Sequence, residues 1–201
     1  MTHAPTIALA YDFDGTLSPG SMQEHSFIPE IGEEIGAFWG RVNGEAARLG
    51  ADNILIYMHE MVKAAQREDV RFRREDIERH GQSVSFFPGV AEGWFQRLRE
   101  YGEARGVRVQ HYIISSGLKE MIAASAVGKE FDAIFASEFK YNADDVPVWA
   151  ASAVNYTNKT QFLFRINKGA LDLSDHAEVN AYVPEDDRPV PFRNMIYVGD
   201  G

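Results

Sequence analysis

The 201-residue chain contains no cysteine, which removes disulfides, thiolate nucleophiles and Cys-based zinc or iron–sulfur sites together. No apolar run approaches membrane-spanning length. The first hydrophobic stretch, Ile7 to Tyr11, is also too short for a secretion signal and lacks its basic flank. Positive charge is scarce: 20 Lys and Arg stand against 30 Asp and Glu, a formal net charge of -10. That balance opposes general attraction to nucleic acid or to an anionic membrane, while leaving room for a local basic pocket that takes a phosphate. Neither GxGxxG nor a Walker loop occurs, so a dinucleotide or ATP cofactor is not expected. What is present is an ordinary globular composition, 45% hydrophobic and 12% aromatic. It suffices for one substantial core, or for a core with a smaller insert. The expectation is a soluble cytoplasmic protein without nucleic-acid or membrane partners.

The most informative stretch is Asp12-Phe13-Asp14-Gly15-Thr16-Leu17, directly after the apolar run. Two carboxylates thus stand at the end of a buried strand, where a turn at Gly15 brings both to the mouth of a site. A calcium loop of the EF-hand type also carries D-x-D. It needs a further Asp or Asn before the Gly, a Glu at the twelfth position and flanking helices, which are not found here.

From about Ser18 to Ser85 the spacing is helical. It is clearest from Asp52 to Glu68, where Ile54, Leu55, Met58, Met61, Val62 and Ala65 recur every three or four residues and Asp52 reads as the N-cap. Glu33 to Leu49 and Arg74 to His80 read as further helices. A second regime opens near Phe86. Pro88-Gly89-Val90 is expected to begin a helix, and Val107 to Ile114 forms a strand leading into Ser115-Ser116-Gly117. Leu118 to Val127 is helical, Phe131 to Phe135 a strand, Val146 to Val154 part of a hairpin turning at Asn142 to Asp145, and Thr157 to Asn167 a helix stopped by Gly169. Met195 to Val198 is the last strand, before Gly199-Asp200-Gly201. Alternating strands and helices predict an α/β, Rossmann-like fold with a mainly parallel sheet. Its core comprises residues 1–17 and 86–201, and residues 18–85 form an inserted helical cap.

Strands ending in DxDG, Ser-Ser-Gly and Gly-Asp-Gly place their termini along one sheet edge. In that order and placement, the chain resembles the haloacid dehalogenase superfamily of phosphohydrolases, with the phosphoserine-phosphatase-like branch nearest. Asp12 to Leu17 matches the first motif residue for residue, Ile113 to Gly117 the second with Ser115 as its hydroxyl, and Asp200 fits the fourth. For the motif lysine, Lys159 and Lys168 both qualify by order. Lys159 is favoured because it opens a helix, where the dipole attracts anions, whereas Lys168 stands at the opposite end.

The resemblance implies a catalytic set of Asp12, Asp14, Ser115 and Lys159. Asp12 is the nucleophile that forms an aspartyl-phosphate, Asp14 the acid and then base, and Ser115 a ligand of the phosphoryl oxygens. It further implies a Mg2+ cofactor held by Asp12, Asp14 through its carbonyl, and Asp200. The function implied is a magnesium-dependent phosphomonoester hydrolase acting on a small phosphorylated metabolite. Alternatives kept open are a phosphomutase or phosphotransferase of the same fold, and a truncated non-catalytic binding protein. The last arises because the family's fourth motif continues as GDGxxD, whereas the sequence stops at Gly201. In the insert, Gln23, Glu24, His25 and Phe27, soon after the first motif, and the basic cluster Arg67, Arg71, Arg73 and Arg74 are candidate specificity residues, with packing or surface the more ordinary role of each. His59, His80 and His111 lack metal-ligand spacing.

Overall fold

The computed structural model describes residues 4–200, so Gly201 of the last motif lies outside the described residues. Strand β1 (Thr6–Tyr11) is followed by helices α1 (Phe27–Glu30), α2 (Ile35–Leu49), α3 (Asn53–Arg67) and α4 (Arg74–Gln82). Then come α5 (Phe95–Glu103), β2 (Arg108–Leu118), α6 (Lys119–Ala124), β3 (Ala133–Tyr141) and β4 (Pro147–Ser152). The chain ends with α7 (Lys159–Lys168), α8 (His176–Asn180) and β5 (Met195–Val198). The strand order is β4-β3-β2-β1-β5, parallel throughout except for β4, which runs antiparallel to β3 at the edge. The fold is therefore α/β and Rossmann-like. From β1 the chain moves outward through β2 and β3, then returns to add β5 on the other side of β1. Strand order reverses beside β1, and the crevice beyond its carboxyl end is where open α/β sheets bind ligands.

Local chemistry explains the boundaries. Asp52 caps α3 by accepting from the N–H groups of Ile54 at 2.8 Å and Leu55 at 3.3 Å. The turn into β4 is built by Asn142, whose Oδ1 accepts from the N–H groups of Asp144 and Val146, both at 3.0 Å. Gly169 ends α7 in the left-handed region, at φ 76°. The helix expected from Pro88 instead begins at Phe95. Glu92 (φ -93°, ψ 40°) and Gly93 (φ 91°, ψ 20°) leave helical geometry, so Val90–Trp94 is a kinked entry turn. Strand β3 extends to Tyr141, beyond the expected end at Phe135, because β4 pairs along its outer half.

Helices α1 to α4 fall between β1 and β2, but they have no core to themselves. Phe27, Phe38, Met58 and Met61 belong to one buried cluster with Tyr11, Phe13, Ile113 and Leu118 from the strands and their ends. Close approach of α4 to α6 needs Gly81, because a Cβ there would collide with the Met121 carbonyl and lie 2.7 Å from its Cα. Among the described residues no helix is long and apolar enough to cross a membrane.

Candidate active site

The first carboxylate emerges where β1 meets β5: the Asp12 N–H donates to the Val198 carbonyl at 2.9 Å, continuing the ladder by one residue. Phe13 then turns inward. Its ring is fully buried and packs edge-on against Phe86, with centroids 5.9 Å apart, and the alternation sends Asp12 and Asp14 to the cavity side. The loop is tight because the N–H groups of Thr16, Leu17 and Ser18 all converge on the Phe13 carbonyl, at 3.2, 2.9 and 3.1 Å. Gly15 adopts φ +74°, and a Cβ there would collide with the Asp200 carboxylate. A glycine is therefore needed both for the turn and for bringing the terminal Asp against it.

Asp12 is held on both oxygens. Oδ1 accepts from the Phe13 N–H at 2.8 Å, and Oδ2 forms an ion pair with Lys159 Nζ. Lys159 is the first residue of α7, and its side chain, like that of Asp12, is largely covered. Burial alone would lower its pKa, but the hydrogen bond and charge of Asp12 outweigh that and raise it, so the ammonium stays charged. Lys168 lies at the far end of α7 and donates to the carbonyls of Val179 and Ala181, both at 2.8 Å. It thus caps the C-terminal end of α8, and Lys159 is the lysine brought to Asp12.

Asp14 Oδ1 accepts from the Met22 N–H at 2.9 Å. Its pKa is pushed up to about 7, chiefly by desolvation and further by the charges of Asp12 and Glu24, against the opposing pull of the Met22 N–H and Lys159. Near neutral pH this carboxyl exists in both protonation states, as a group that donates and later accepts a proton requires. Met22 also joins the two loops: it is fully buried, and its Sδ accepts from the Leu118 N–H at 3.2 Å. Gly117 lies between them, where a Cβ would collide with Met22 Cε and approach Asp14 Oδ2 to 3.1 Å.

Ser115 stands behind this surface. It is fully buried, and its Oγ accepts from the Gly117 N–H at 3.0 Å, whereas Ser116 and Gly117 line the cavity itself. The hydroxyl expected to touch phosphate thus shapes the loop whose next two residues face the site. Asp12, Asp14 and Asp200 line one cavity of about 410 Å³, within the range of small-ligand sites. Its opposite wall comes from the insert and its flanks: Gln23, Trp39, Asn43, Asn53, Tyr57 and, beyond β4, Tyr156. Only Gln23 of these is singled out by the sequence, as a candidate specificity residue whose more ordinary role is packing. The helical period of α2 and α3 places Trp39, Asn43, Asn53 and Tyr57 on faces whose partner is not encoded locally.

Other candidates lie elsewhere. Phe27 is core, and His25 bonds Ser18, Ser85 and the Pro19 carbonyl. Arg67 and Arg71 are paired with Glu33, Glu68, Glu75 and Asp76, and the Arg74 guanidinium lies 3.9 Å from the Tyr141 ring centroid. Among the described residues no three His, Cys, Asp or Glu side chains form a metal cluster. The implied cation asks for less: two carboxylates, Asp12 and Asp200, with the Asp14 carbonyl. These are hard oxygen donors of the kind magnesium takes, and the bare Gly15 Cα leaves space beside Asp200.

Comparison with known proteins fits this arrangement. The model of the haloacid dehalogenase-like hydrolases (HAD) matches residues 9–201. An uncharacterized protein of Borreliella burgdorferi is 29% identical over 221 residues, covering 97% of this chain and 74% of the relative. Among solved structures, a substrate-bound phosphoserine phosphatase complex superposes with TM-score 0.62 at 17% identity, over 98% of this chain and 78% of that one. The HAD family hydrolase t0658 of Salmonella enterica serovar Typhi gives TM-score 0.59 at 15% identity over 94% of this chain. The chain spans 54% of that hydrolase's length. At such identities these two structures establish a shared fold.

Proposed function

The chain belongs to the haloacid dehalogenase-like hydrolases, and on that premise we propose that it is a magnesium-dependent phosphomonoester hydrolase acting on a small phosphorylated metabolite. The observation that carries this reading is the pairing of Asp12 with Lys159 beside an Asp14 whose pKa is raised to about 7, all at the sheet's switch point. An Asp12 oxygen attacks phosphorus, forming an Asp12–phosphorus bond as the bond to the alcohol oxygen breaks. The Asp14 carboxyl gives its proton to that departing oxygen. Water then attacks the aspartyl-phosphate, Asp14 takes the proton back, and inorganic phosphate leaves with Asp12 regenerated. Lys159 offsets negative charge on Asp12 and on the transferring group, while Ser116 and Gly117 offer the loop against which phosphoryl oxygens are held. Magnesium, when bound by Asp12, Asp200 and the Asp14 carbonyl, supplies the positive charge that lets a phosphate dianion approach these carboxylates. The test is hydrolysis of an aryl phosphate with and without magnesium. Activity is expected to require the metal and to vanish in Asp12→Asn with the fold intact by circular dichroism; turnover retained in that variant would overturn the reading.

A further inference from the structure

We propose that the leaving-group side of this cavity selects esters whose alcohol is uncharged and hydroxyl-rich, a polyol or sugar monophosphate, against esters whose alcohol carries a carboxylate or a second phosphate. This rests on the phosphatase reading above and narrows it.

Charge gives the first argument. The carboxylates lining the cavity are Asp12, Asp14 and Asp200, and no Lys or Arg lines it among the described residues. Lys159 is committed to Asp12. On the insert, Arg41 is bound by Glu33 and Glu60, and Arg67 by Glu33 and Glu68. A second anionic group on the substrate would be desolvated beside three aspartates with no cation to meet it.

Unsatisfied hydrogen bonding gives the second. Gln23 is 1% exposed, and its Oε1 has no partner. Asn53 Oδ1 is likewise buried and unpartnered, while its Nδ2 donates to Asn43 Oδ1 at 2.9 Å. Both side chains belong to the cavity wall, where an unpartnered oxygen is completed by a donor from water or from a ligand. Both atoms are acceptors, and a substrate hydroxyl can donate to them without bringing a charge into the cavity. Beside this wall, Glu24 accepts from Trp39 Nε1 at 2.7 Å.

Shape gives the third. That hydrogen bond fixes the indole, whose ring stands 6.1 Å from Tyr57 at 69°, and Tyr57 in turn donates to the Ser116 carbonyl at 2.7 Å. With Ile54, these rings give an apolar wall beside amide groups, matching a carbon skeleton with hydroxyls along one side.

The experiment compares three phosphomonoesters of matched three-carbon size, glycerol 3-phosphate, O-phosphoserine and 3-phosphoglycerate, with a hexose phosphate and an aryl phosphate in parallel. We expect kcat/KM for glycerol phosphate or the hexose phosphate to exceed that for either carboxylate-bearing ester by at least about 100-fold. Which neutral ester leads distinguishes polyol from sugar. Gln23→Met, close in shape but without the amide, is expected to raise KM for the neutral ester more than it lowers kcat. Asn43→Arg, adding a cation at the exposed rim, is expected to narrow the gap with 3-phosphoglycerate. Equal rates, or preference for a carboxylate-bearing ester while the aryl phosphate is turned over, would overturn the proposal and leave the phosphatase reading standing. No turnover of any ester, the aryl phosphate included, would instead overturn the phosphatase reading and this proposal with it.

Discussion

Asp12 and Asp14 are separated by a single residue yet are placed in different electrostatic settings. One is tied to an ammonium; the other sits in a desolvated niche with one N–H donor and acidic neighbours. That contrast suits the proposed division of labour, in which Asp12, paired with the ammonium, attacks and Asp14, titrating near neutrality, carries the proton. Asp14→Asn removes the transferable proton and leaves an amide in its place. We expect kcat/KM to fall about 10² to 10⁴-fold on an alkyl phosphate. The fall should be smaller on an aryl phosphate, whose phenolate leaves with less help. Equal losses on both substrates would argue that Asp14 positions the site rather than protonating the leaving oxygen. At this scale, the two carboxylates at the strand end were legible from spacing, and the resemblance to the family's motifs, with helix polarity, pointed to Lys159 over Lys168. The inward turn of Ser115 was not, because Ser115 and Ser116 differ only in which side of a strand end they face, and the register irregularity between Ser115 and Leu118 decides that.

Among the elements, β2 shows how a buried polar residue is accommodated. His111 is fully buried in it, with Nε2 3.2 Å from the Phe95 carbonyl and Nδ1 3.1 Å from the Tyr11 hydroxyl, which accepts in turn from Trp94 Nε1 at 3.3 Å. A carbonyl accepts only, so the ring carries its proton on Nε2, and the chain of donors runs one way from Trp94 through Tyr11 to Phe95. Burial pushes the His111 pKa down to about 4, with the Arg99 charge adding to it. The folded pKa lies below the unfolded value of about 6.5, so this contribution to stability is complete above that pH and is lost as pH falls toward 4. The loss is on the order of 3 kcal/mol. His111→Gln keeps an acceptor for Tyr11 and a donor for Phe95 without a titrating ring. Denaturant midpoints measured between pH 7 and 4.5 should fall less steeply in the variant; parallel slopes would contradict the assignment. The cap of α3, the Asn142 turn and the Gly169 stop were readable because each is a local bargain between a side chain and its own backbone. The kink at Glu92 and Gly93 escaped notice because apolar spacing continues across it while the glycine relaxes the backbone.

Over the whole molecule, the insert and the sheet share one buried cluster. Periodicity could place helices α2 to α4, but it could not say whether their apolar stripes face one another or the sheet, since that is decided by residues far apart in sequence. Gly81 is one point where this interlock is tight. Gly81→Val would force α4 and α6 apart, at a cost of roughly 1–3 kcal/mol for overpacking. Because the core is continuous, we expect the loss to appear in a single transition, with Trp fluorescence and helical dichroism coinciding; two resolved transitions would show an independently folding insert. The same interlock sets the cavity wall carrying Gln23, Trp39 and Asn53 across from the Asp12–Asp14 loop, so the cavity is built by segments that the sequence keeps apart.

The central claim is that phosphate passes through a covalent bond to Asp12. Rapid acid quenching during turnover, followed by peptide mass analysis, tests it most directly. The account predicts one added phosphoryl group on the peptide bearing Asp12, absent from Asp12→Asn; turnover with no covalent phosphate, or with phosphate on another residue, would contradict it.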